Sequence, residues 1–212
     1  MSDTSAVYVV DDDKAVRDSL RWLIESGGVR VETFASAREF LDRCDAGEVQ
    51  GCLVADVRLP GISGLDLQEN LRQRGLYLPT IVITGHGDVP LAVRAMKAGA
   101  LDFIEKPFSD QVLLDRIREA LSTDERYREL AAQREEIVER YERLSRRERE
   151  VMQLVVRGRL NKQIAAELGL SHKTIEVHRA HAMEKMEGDS LAELVRMAVV
   201  LEENRSPHAL ST

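Results

Sequence analysis

Three consecutive carboxylates, Asp11, Asp12 and Asp13, follow the apolar run AVYVV, and a fourth, Asp56, ends a second apolar run, CLVAD. Clustered carboxylates repel one another and tend to hold protons unless a cation lies between them, and Mg²⁺ prefers such oxygen ligands. A solvated acidic turn would explain an Asp run taken alone. If the two runs are neighbouring strands, their carboxylates converge, and a metal site becomes the better interpretation.

Two more polar side chains end later apolar runs. Thr84 closes PTIVIT, and Lys106 follows LDFIE and precedes Pro107. Alone, such a threonine is usually a strand former and such a lysine is usually a surface residue. With the carboxylates they form a phosphoryl-binding set, because Mg²⁺ and lysine both neutralise charge on phosphoryl oxygens.

The elements that must position these groups alternate between strands and helices. The predicted strands are AVYVV, VRVETF, GCLVAD, PTIVIT and LDFIE, and amphipathic segments of helical spacing lie between them. Strands that are apolar at nearly every position indicate a parallel sheet covered on both faces. We therefore predict an α/β fold, a flavodoxin-like doubly wound five-stranded parallel sheet in the order 2-1-3-4-5, whose strand carboxyl ends carry the polar residues.

The rest of the chain predicts a helical linker and a small all-α domain. The predicted division is residues 4–120, a linker helix at 121–143, a second domain at 144–204 and a disordered tail at 205–212. The linker has no Gly or Pro and spaces Leu130, Ile137 and Leu144 by sevens. Weak pairing with a second copy and a plain charged spacer are both compatible with this pattern.

The front and rear parts of the chain differ in net charge. The chain has a formal net charge of -7, which by itself disfavours a nucleic-acid binder. Residues 1–122 carry 20 Asp and Glu against 14 Lys and Arg, a net of -6, whereas residues 145–188 carry 6 against 9, a net of +3. An acidic front module and a mildly basic rear module follow from this split.

Cysteines and hydropathy predict a cytoplasmic protein. Cys44 and Cys52 are spaced unlike a redox pair or a zinc knuckle, so two reduced thiols are expected. No apolar stretch approaches the roughly 18 residues of a membrane span, and the N-terminus lacks the pattern of a signal peptide. No membrane partner is expected.

The rear segment has the pattern of a helix-turn-helix. Ser145 and Glu148 form a capping-box sequence, NKQIAAELG predicts a helix closed by Gly169, and Ser171 opens the next helix. The residues expected to be buried are Ile164, Ala165, Leu168, Leu170, Ile175 and Val177, the last of which could instead lie partly at a groove; Lys173, Thr174, His178, Arg179 and His181 are expected outside. Spacing alone also permits a small helical dimerisation module.

The front motifs VVDDD, ADVRLPGISGLDL and IVITGHGDVPLAVRAMKAGALDFIEKPF resemble the receiver domain of bacterial two-component response regulators, the last stretch especially that of the FixJ subfamily. The resemblance implies that a histidine kinase phosphorylates Asp56. It also implies a Mg²⁺ ion held by Asp11, Asp12, Asp56 and the backbone carbonyl of Arg58.

The same resemblance implies a switch. Thr84 and Lys106 would contact the phosphoryl group, with a cis peptide between Lys106 and Pro107. Phe103 would be the aromatic residue that swings inward as Thr84 follows the phosphate. His86 and Arg58 would line the mouth of the pocket and set the lifetime of the phosphate.

The segment LSRREREVMQLVVRGRLNKQIAAELGLSHKTIEVHRAHAMEKM resembles the LuxR-type DNA-binding domain of FixJ and NarL regulators. The resemblance implies that 172–180 enter the major groove and that SLAELVRMAVVL forms a dimer helix. Many relatives carry Lys at the position of Glu176, although Glu also suits cytosine. The implied DNA contacts are Asn161, Lys162, His172, Lys173, Thr174, Glu176, Val177, His178, Arg179 and Ala180.

Together these features predict a transcriptional regulator rather than an enzyme. Phosphorylation would drive homodimerisation and binding to double-stranded promoter DNA, and RNA polymerase would be activated there. Two alternatives remain: a phosphorylation-independent regulator whose receiver only dimerises, and an aspartyl-phosphate hydrolase. The hydrolase is disfavoured because such enzymes usually carry the nucleophile on strand one in a DxD pattern beneath a cap domain.

Overall fold

The computed structural model describes residues 5–85 and 87–205, with side chains described up to Glu202. His86 and residues 206–212, most of the predicted tail, lie outside the described residues, and Arg205 ends a helix. The strands are β1 Ala6–Val10, β2 Val31–Phe34, β3 Gly51–Asp56, β4 Thr80–Thr84 and β5 Asp102–Glu105. The helices are α1 Lys14–Ser26, α2 Ala37–Asp45, α3 Gly64–Gln73, α4 Val89–Lys97, α5 Asp110–Glu142, α6 Arg146–Val156, α7 Asn161–Leu168, α8 His172–Lys185 and α9 Leu191–Arg205.

The five strands form one parallel sheet in the order β2-β1-β3-β4-β5, which confirms the predicted topology. Every residue of β1, β3 and β4 is buried, as the continuous apolar runs predicted. Alternate residues supply two cores: Val9 and Ile83 lie in one, and Tyr8 and Phe40 in the other. The strand ends are thereby fixed between two packed layers of helices.

Short polar side chains cap the helix starts, as was predicted for Ser171. The side chains of Ser36, Asp88 and Ser171 accept hydrogen bonds from backbone N–H groups in the first turns of α2, α4 and α8. Asp13 is the N-cap of α1 and accepts from Ala15 N at 2.7 Å. One of the three consecutive carboxylates therefore serves the helix rather than a site.

The segments predicted as a last receiver helix and a separate linker are one continuous helix, α5. No Gly or Pro interrupts it. The chain nevertheless divides into two compact units between Arg128 and Glu129. The predicted domain boundaries at residues 120 and 143 therefore fall inside or just after one helix.

Asp124 anchors α5 to the first unit. It is 1% exposed and accepts from the backbone N–H of Gly51 at 2.9 Å and from Arg128 Nε at 2.8 Å. Gly51 has φ 127°, and a Cβ atom there would collide with the backbone of Ala6 in the neighbouring strand. A glycine is required here, and its amide is satisfied by the helix.

The second unit has its own core. Val151, Ile164, Ile175 and Met186 are each fully buried within it. Ile137, near the end of α5, packs against the same core.

The three residues spaced by sevens along the linker match neither expectation, a pairing surface or a plain charged spacer. Ile137 packs on the core of the second unit, and Leu144 is 3% exposed, whereas Leu130 is 59% exposed. Two of the three residues pack in the core of the second unit. The spacing by sevens therefore does not give a continuous exposed surface along the whole helix for pairing with a second copy. The end of α5 is also more than a charged spacer.

Candidate functional site

The carboxylates of β1 and β3 meet at the carboxyl edge of the sheet. Val10 lies opposite Ala55 in the parallel register, so the residues that follow, Asp11 and Asp56, are neighbours. Asp11 is 2% exposed and Asp56 is 7% exposed, whereas Asp12 is exposed. The structure brings two of the three predicted metal-binding side chains into a buried position.

Lys106 joins these two carboxylates. Its Nζ donates to Asp11 Oδ2 at 2.8 Å and to Asp56 Oδ1 at 3.1 Å. Burial alone would lower the pKa of Lys106, but the hydrogen bonds to Asp11 and Asp56 outweigh it, and the pKa lies above its usual value. The peptide between Lys106 and Pro107 is cis, as the resemblance implied.

Thr84 ends the strand beside β3 and is fully buried. Asp56 is registered against Ile83, so Thr84 lies one residue further along the same edge. The carbonyl oxygen of Thr84 accepts from Lys106 N at 2.7 Å, which ties the lysine backbone to the threonine. Carboxylates, hydroxyl and ammonium are thus assembled from four different strands and their ends.

Phe103 is half-buried and packs beside Val82 and Ala95. A Cβ atom at Gly87 would approach its ring to 3.2 Å, so the loop after β4 passes directly over Phe103. The amide of Gly87 also donates to Glu105 Oε1 at 3.2 Å. The predicted switch residue therefore lies under the loop that follows Thr84.

Arg58 is exposed, and its backbone N–H donates to Asp56 Oδ2 at 2.7 Å. Its predicted role through the carbonyl oxygen stays a prediction. Each oxygen of the Asp56 carboxylate accepts one hydrogen bond, from Lys106 and from Arg58 N. The carboxylate is therefore held in one orientation.

Two residues at this edge were missed by sequence reasoning. Arg17 Nη1 donates to the backbone carbonyl of Asp11 at 2.6 Å and fixes the end of β1. Gly64 begins α3 directly against Asp56, and a Cβ atom there would collide with the Asp56 carbonyl. The glycine after the Ser63 cap was a visible signal, whereas Arg17 has no signal in the sequence.

Among the side chains described in residues 5–85 and 87–202, no three His, Cys, Asp or Glu are grouped as a metal-ligand set. The geometry explains this, because Asp12 is exposed and the ammonium of Lys106 bonds both Asp11 and Asp56. A cation thus already lies between the two buried carboxylates.

The second unit contains the predicted helix-turn-helix in α7 and α8. Gly169 ends α7 with φ 67°, a left-handed conformation, and its N–H donates to Ala165 O. Ile164 and Ile175 are fully buried between the helices, whereas Val177 is 45% exposed and so belongs to the outer face. Of the two positions considered for Val177, the structure selects the surface.

The predicted DNA-contacting residues lie at the start of α7 and in the first nine residues of α8, and hydrogen bonds or ion pairs link some of them. Arg179 Nη1 donates to Asn161 Oδ1 at 3.2 Å and links α8 to the start of α7. His172 Nδ1 lies 3.4 Å from Glu176 Oε1. Those exposed to solvent are Lys162, His172, Lys173, Glu176, Val177 and Ala180, and those half-buried are Asn161, Thr174, His178 and Arg179.

Family models match both units. Residues 7–118 match the response regulator receiver domain, and residues 142–198 match the bacterial regulatory proteins of the luxR family. The chain is 49% identical to the transcriptional regulatory protein FixJ of Azorhizobium caulinodans over 94% of each chain. It belongs to the FixJ-type response regulators. 

Other relatives agree with this family. The response regulator protein TodT of Pseudomonas putida is 46% identical, covering 96% of this chain and 90% of its own. Among solved structures, the response regulator StyR is 44% identical with a TM-score of 0.81, covering 92% of this chain and 98% of its own. Full-length FixJ from B. japonicum is 45% identical with a TM-score of 0.58, covering 95% and 98%.

As a FixJ-type regulator, the protein combines a receiver domain with a LuxR-type DNA-binding domain and regulates transcription. The family prediction and the fold class are both confirmed. Among the described residues, no helix is both long enough and apolar enough to cross a membrane.

Proposed function

We propose that a sensor histidine kinase phosphorylates Asp56. The observation that carries this proposal is the contact of Lys106 with both Asp11 and Asp56 at the carboxyl edge of the sheet. A lysine in this position can neutralise charge on an incoming phosphoryl group. The neighbouring hydroxyl of Thr84 adds a hydrogen-bond donor.

Mg²⁺ is the proposed cofactor, bound by Asp11, Asp12, Asp56 and the carbonyl oxygen of Arg58. These groups fit a hard cation, because all are oxygen donors and two of them already bond one ammonium within 3.1 Å. When bound, Mg²⁺ supplies positive charge to the phosphoryl oxygens.

The side chains carry out the transfer and the response. A carboxylate oxygen of Asp56 attacks the phosphorus of phosphohistidine, the P–N bond breaks, and its electron pair leaves with the histidine nitrogen. The acyl phosphate carries about two negative charges, a net gain of about one over the Asp56 carboxylate, and its oxygens would bond Lys106 and the Thr84 hydroxyl. Thr84 moves toward the phosphate and Phe103 turns inward, which biases α4 and β5 toward a second conformation.

The output is dimeric DNA binding in the cytoplasm. Allosteric coupling is typically about 1–3 kcal/mol, so pairing of two receivers would add the second contribution needed for a complete switch. A dimer would place the segment 172–180 of each copy in major grooves about 10–10.5 bp apart. RNA polymerase is the proposed downstream partner, with activation as the expected outcome.

Phosphorylation with acetyl phosphate and Mg²⁺ tests the assignment of Asp56. We expect wild type to gain one phosphoryl group by intact mass, to dimerise and to bind DNA more tightly. Asp56→Asn should do none of these, whereas Asp42→Asn, at a carboxylate whose side chain is 63% exposed, should behave as wild type. Equal mass gain and equal dimerisation of wild type and Asp56→Asn would refute the proposal. Turnover of a simple phosphate ester would support the hydrolase instead.

A further inference from the structure

One buried carboxylate in the second unit has three partners, one at the cap of its own helix and two on another helix. Glu148 is the third residue of α6 and is 4% exposed. Its Oε2 accepts from the backbone N–H of Ser145 and from Lys185 Nζ, both at 2.7 Å. Its Oε1 lies 3.6 Å from His181 Nδ1. The carboxylate therefore joins the cap of α6 to the last two turns of α8.

This contact is more than a helix cap. The capping box needs only the reciprocal bonds between Ser145 and Glu148, which are both present. The bond from Lys185 comes from a different helix, 37 residues along the chain. Burial alone would raise the pKa of Glu148, but the hydrogen bonds from Lys185 and Ser145 outweigh it and lower the pKa to about 2. The carboxylate is thus fully charged at neutral pH.

The two ends of α8 have different surroundings. Its N-terminal end carries the exposed residues His172 and Lys173, whereas Ala182 and Met186, at its C-terminal end, are buried. A helix of 14 residues is about 21 Å long, so a rotation of about 3° at one end moves the other by about 1 Å. Hydrogen bonds to base edges tolerate only a few tenths of an ångström. A small change of helix angle at Lys185 would therefore displace the distant end by more than a base-edge hydrogen bond tolerates.

We propose that Glu148 is a positioning residue for DNA recognition, which fixes the angle of α8 through its bond to Lys185. The proposal rests on the proposed function of 172–180 as the base-reading segment. Loss of the Glu148 charge frees the Lys185 ammonium and lets α8 rotate. Discrimination between DNA sequences then falls, while attraction to the phosphate backbone does not.

Three substitutions separate this effect from simple loss of charge or of the cap. Glu148→Gln retains an acceptor for Ser145 N and removes the charge. Lys185→Met leaves the capping box untouched at a side chain that is 39% exposed. Glu150→Gln is the matched control, because it makes the same charge change on the same helix, where the partners are Arg146 and Arg147 rather than α8.

The experiment uses full-length protein phosphorylated with acetyl phosphate. DNA is first selected from a random pool with wild type, and Kd is then measured for the selected duplex and for a scrambled duplex. We expect the ratio of the two affinities to fall at least tenfold in Glu148→Gln and in Lys185→Met, and less than twofold in Glu150→Gln. A tenfold loss, about 1.4 kcal/mol, is the size of one lost base contact. Affinity for scrambled DNA should stay within threefold in Glu148→Gln.

The outcomes are distinguishable. If wild type enriches no sequence, the proposed base-reading segment fails. If wild type enriches a sequence and both Glu148→Gln and Lys185→Met keep its affinity ratio, or weaken both duplexes equally, the positioning role is wrong. Should Glu148→Gln unfold, as thermal melts would show, Lys185→Met alone decides between these results.

Discussion

Replacing Lys106 by Met should leave two buried carboxylates facing one another. The bonded oxygens of Asp11 and Asp56 lie no more than about 6 Å apart, because both lie within 3.1 Å of the same nitrogen. At an effective dielectric constant of about 20, two unit charges at this separation repel by about 3 kcal/mol. Breaking a buried ion pair generally costs about 3–5 kcal/mol. We expect the lower value, about 3 kcal/mol, since the Lys106 side chain is 24% exposed.

Mg²⁺ should reverse most of this loss. A ligand present at 100 times its Kd stabilises the folded state by about 2.7 kcal/mol, and in Lys106→Met the cation no longer competes with an ammonium. Stability is measured by hydrogen exchange of the amides of β1 and β3, in chelator and in Mg²⁺, so that the first unit is observed by itself. Lys97→Met, at an exposed lysine on α4, is the control.

Two results would refute this reasoning. A loss of stability in chelator that matches Lys97→Met would mean that the two carboxylates do not interact through Lys106. A loss that Mg²⁺ does not reduce would mean that Asp11 and Asp56 do not bind the ion. Either result would remove the physical basis for the proposed phosphoryl site.

Two further predictions concern the second unit. Gly169→Ala should lower the free energy of unfolding by about 1 kcal/mol in thermal melts, because Gly169 has φ 67° and no atom lies within 4 Å of an added Cβ, so the cost is purely conformational. The pKa of Glu148 is lowered from 4.5 to about 2 on folding, so its contribution is present above about pH 4.5 and is lost as the pH falls toward 2. The difference in stability between wild type and Glu148→Gln should therefore shrink over that range, and an unchanged difference would contradict the assigned ion pair.

Local sequence patterns predicted the structure correctly wherever it depended on a single strand, helix or turn. The apolar runs ended at the residues now found at the sheet edge, and the caps at Ser145 and Ser171 were visible as short polar side chains before helical segments. The left-handed turn at Gly169 was likewise visible, because glycine favours that conformation. The parallel sheet followed from the alternation of strand and helix, and its strand order is that of the flavodoxin-like fold.

Contacts between distant segments were not visible in the sequence. Lys185 meets Glu148 across 37 residues, and Asp124 accepts from Gly51 across 73 residues. Both carboxylates are of a type that is usually exposed, and no periodicity distinguishes them from their solvated neighbours. The continuity of α5 was missed for a related reason, since the compact units divide within an unbroken helical sequence.

The carboxylates at the ends of β1 and β3 show which features followed from the sequence and which depended on the tertiary structure. The sequence by itself determined that Asp11, Asp12, Asp13 and Asp56 lie at or just after strand ends and that a cation would stabilise carboxylates clustered there. Tertiary structure alone decided that Asp12 is exposed and that Asp11 and Asp56 share Lys106, whereas Asp13 caps α1 through a contact to Ala15 that is local in the sequence. The physical reason is that residue type and spacing fix secondary structure, whereas the direction of each side chain depends on the packing of strands that are distant in the chain.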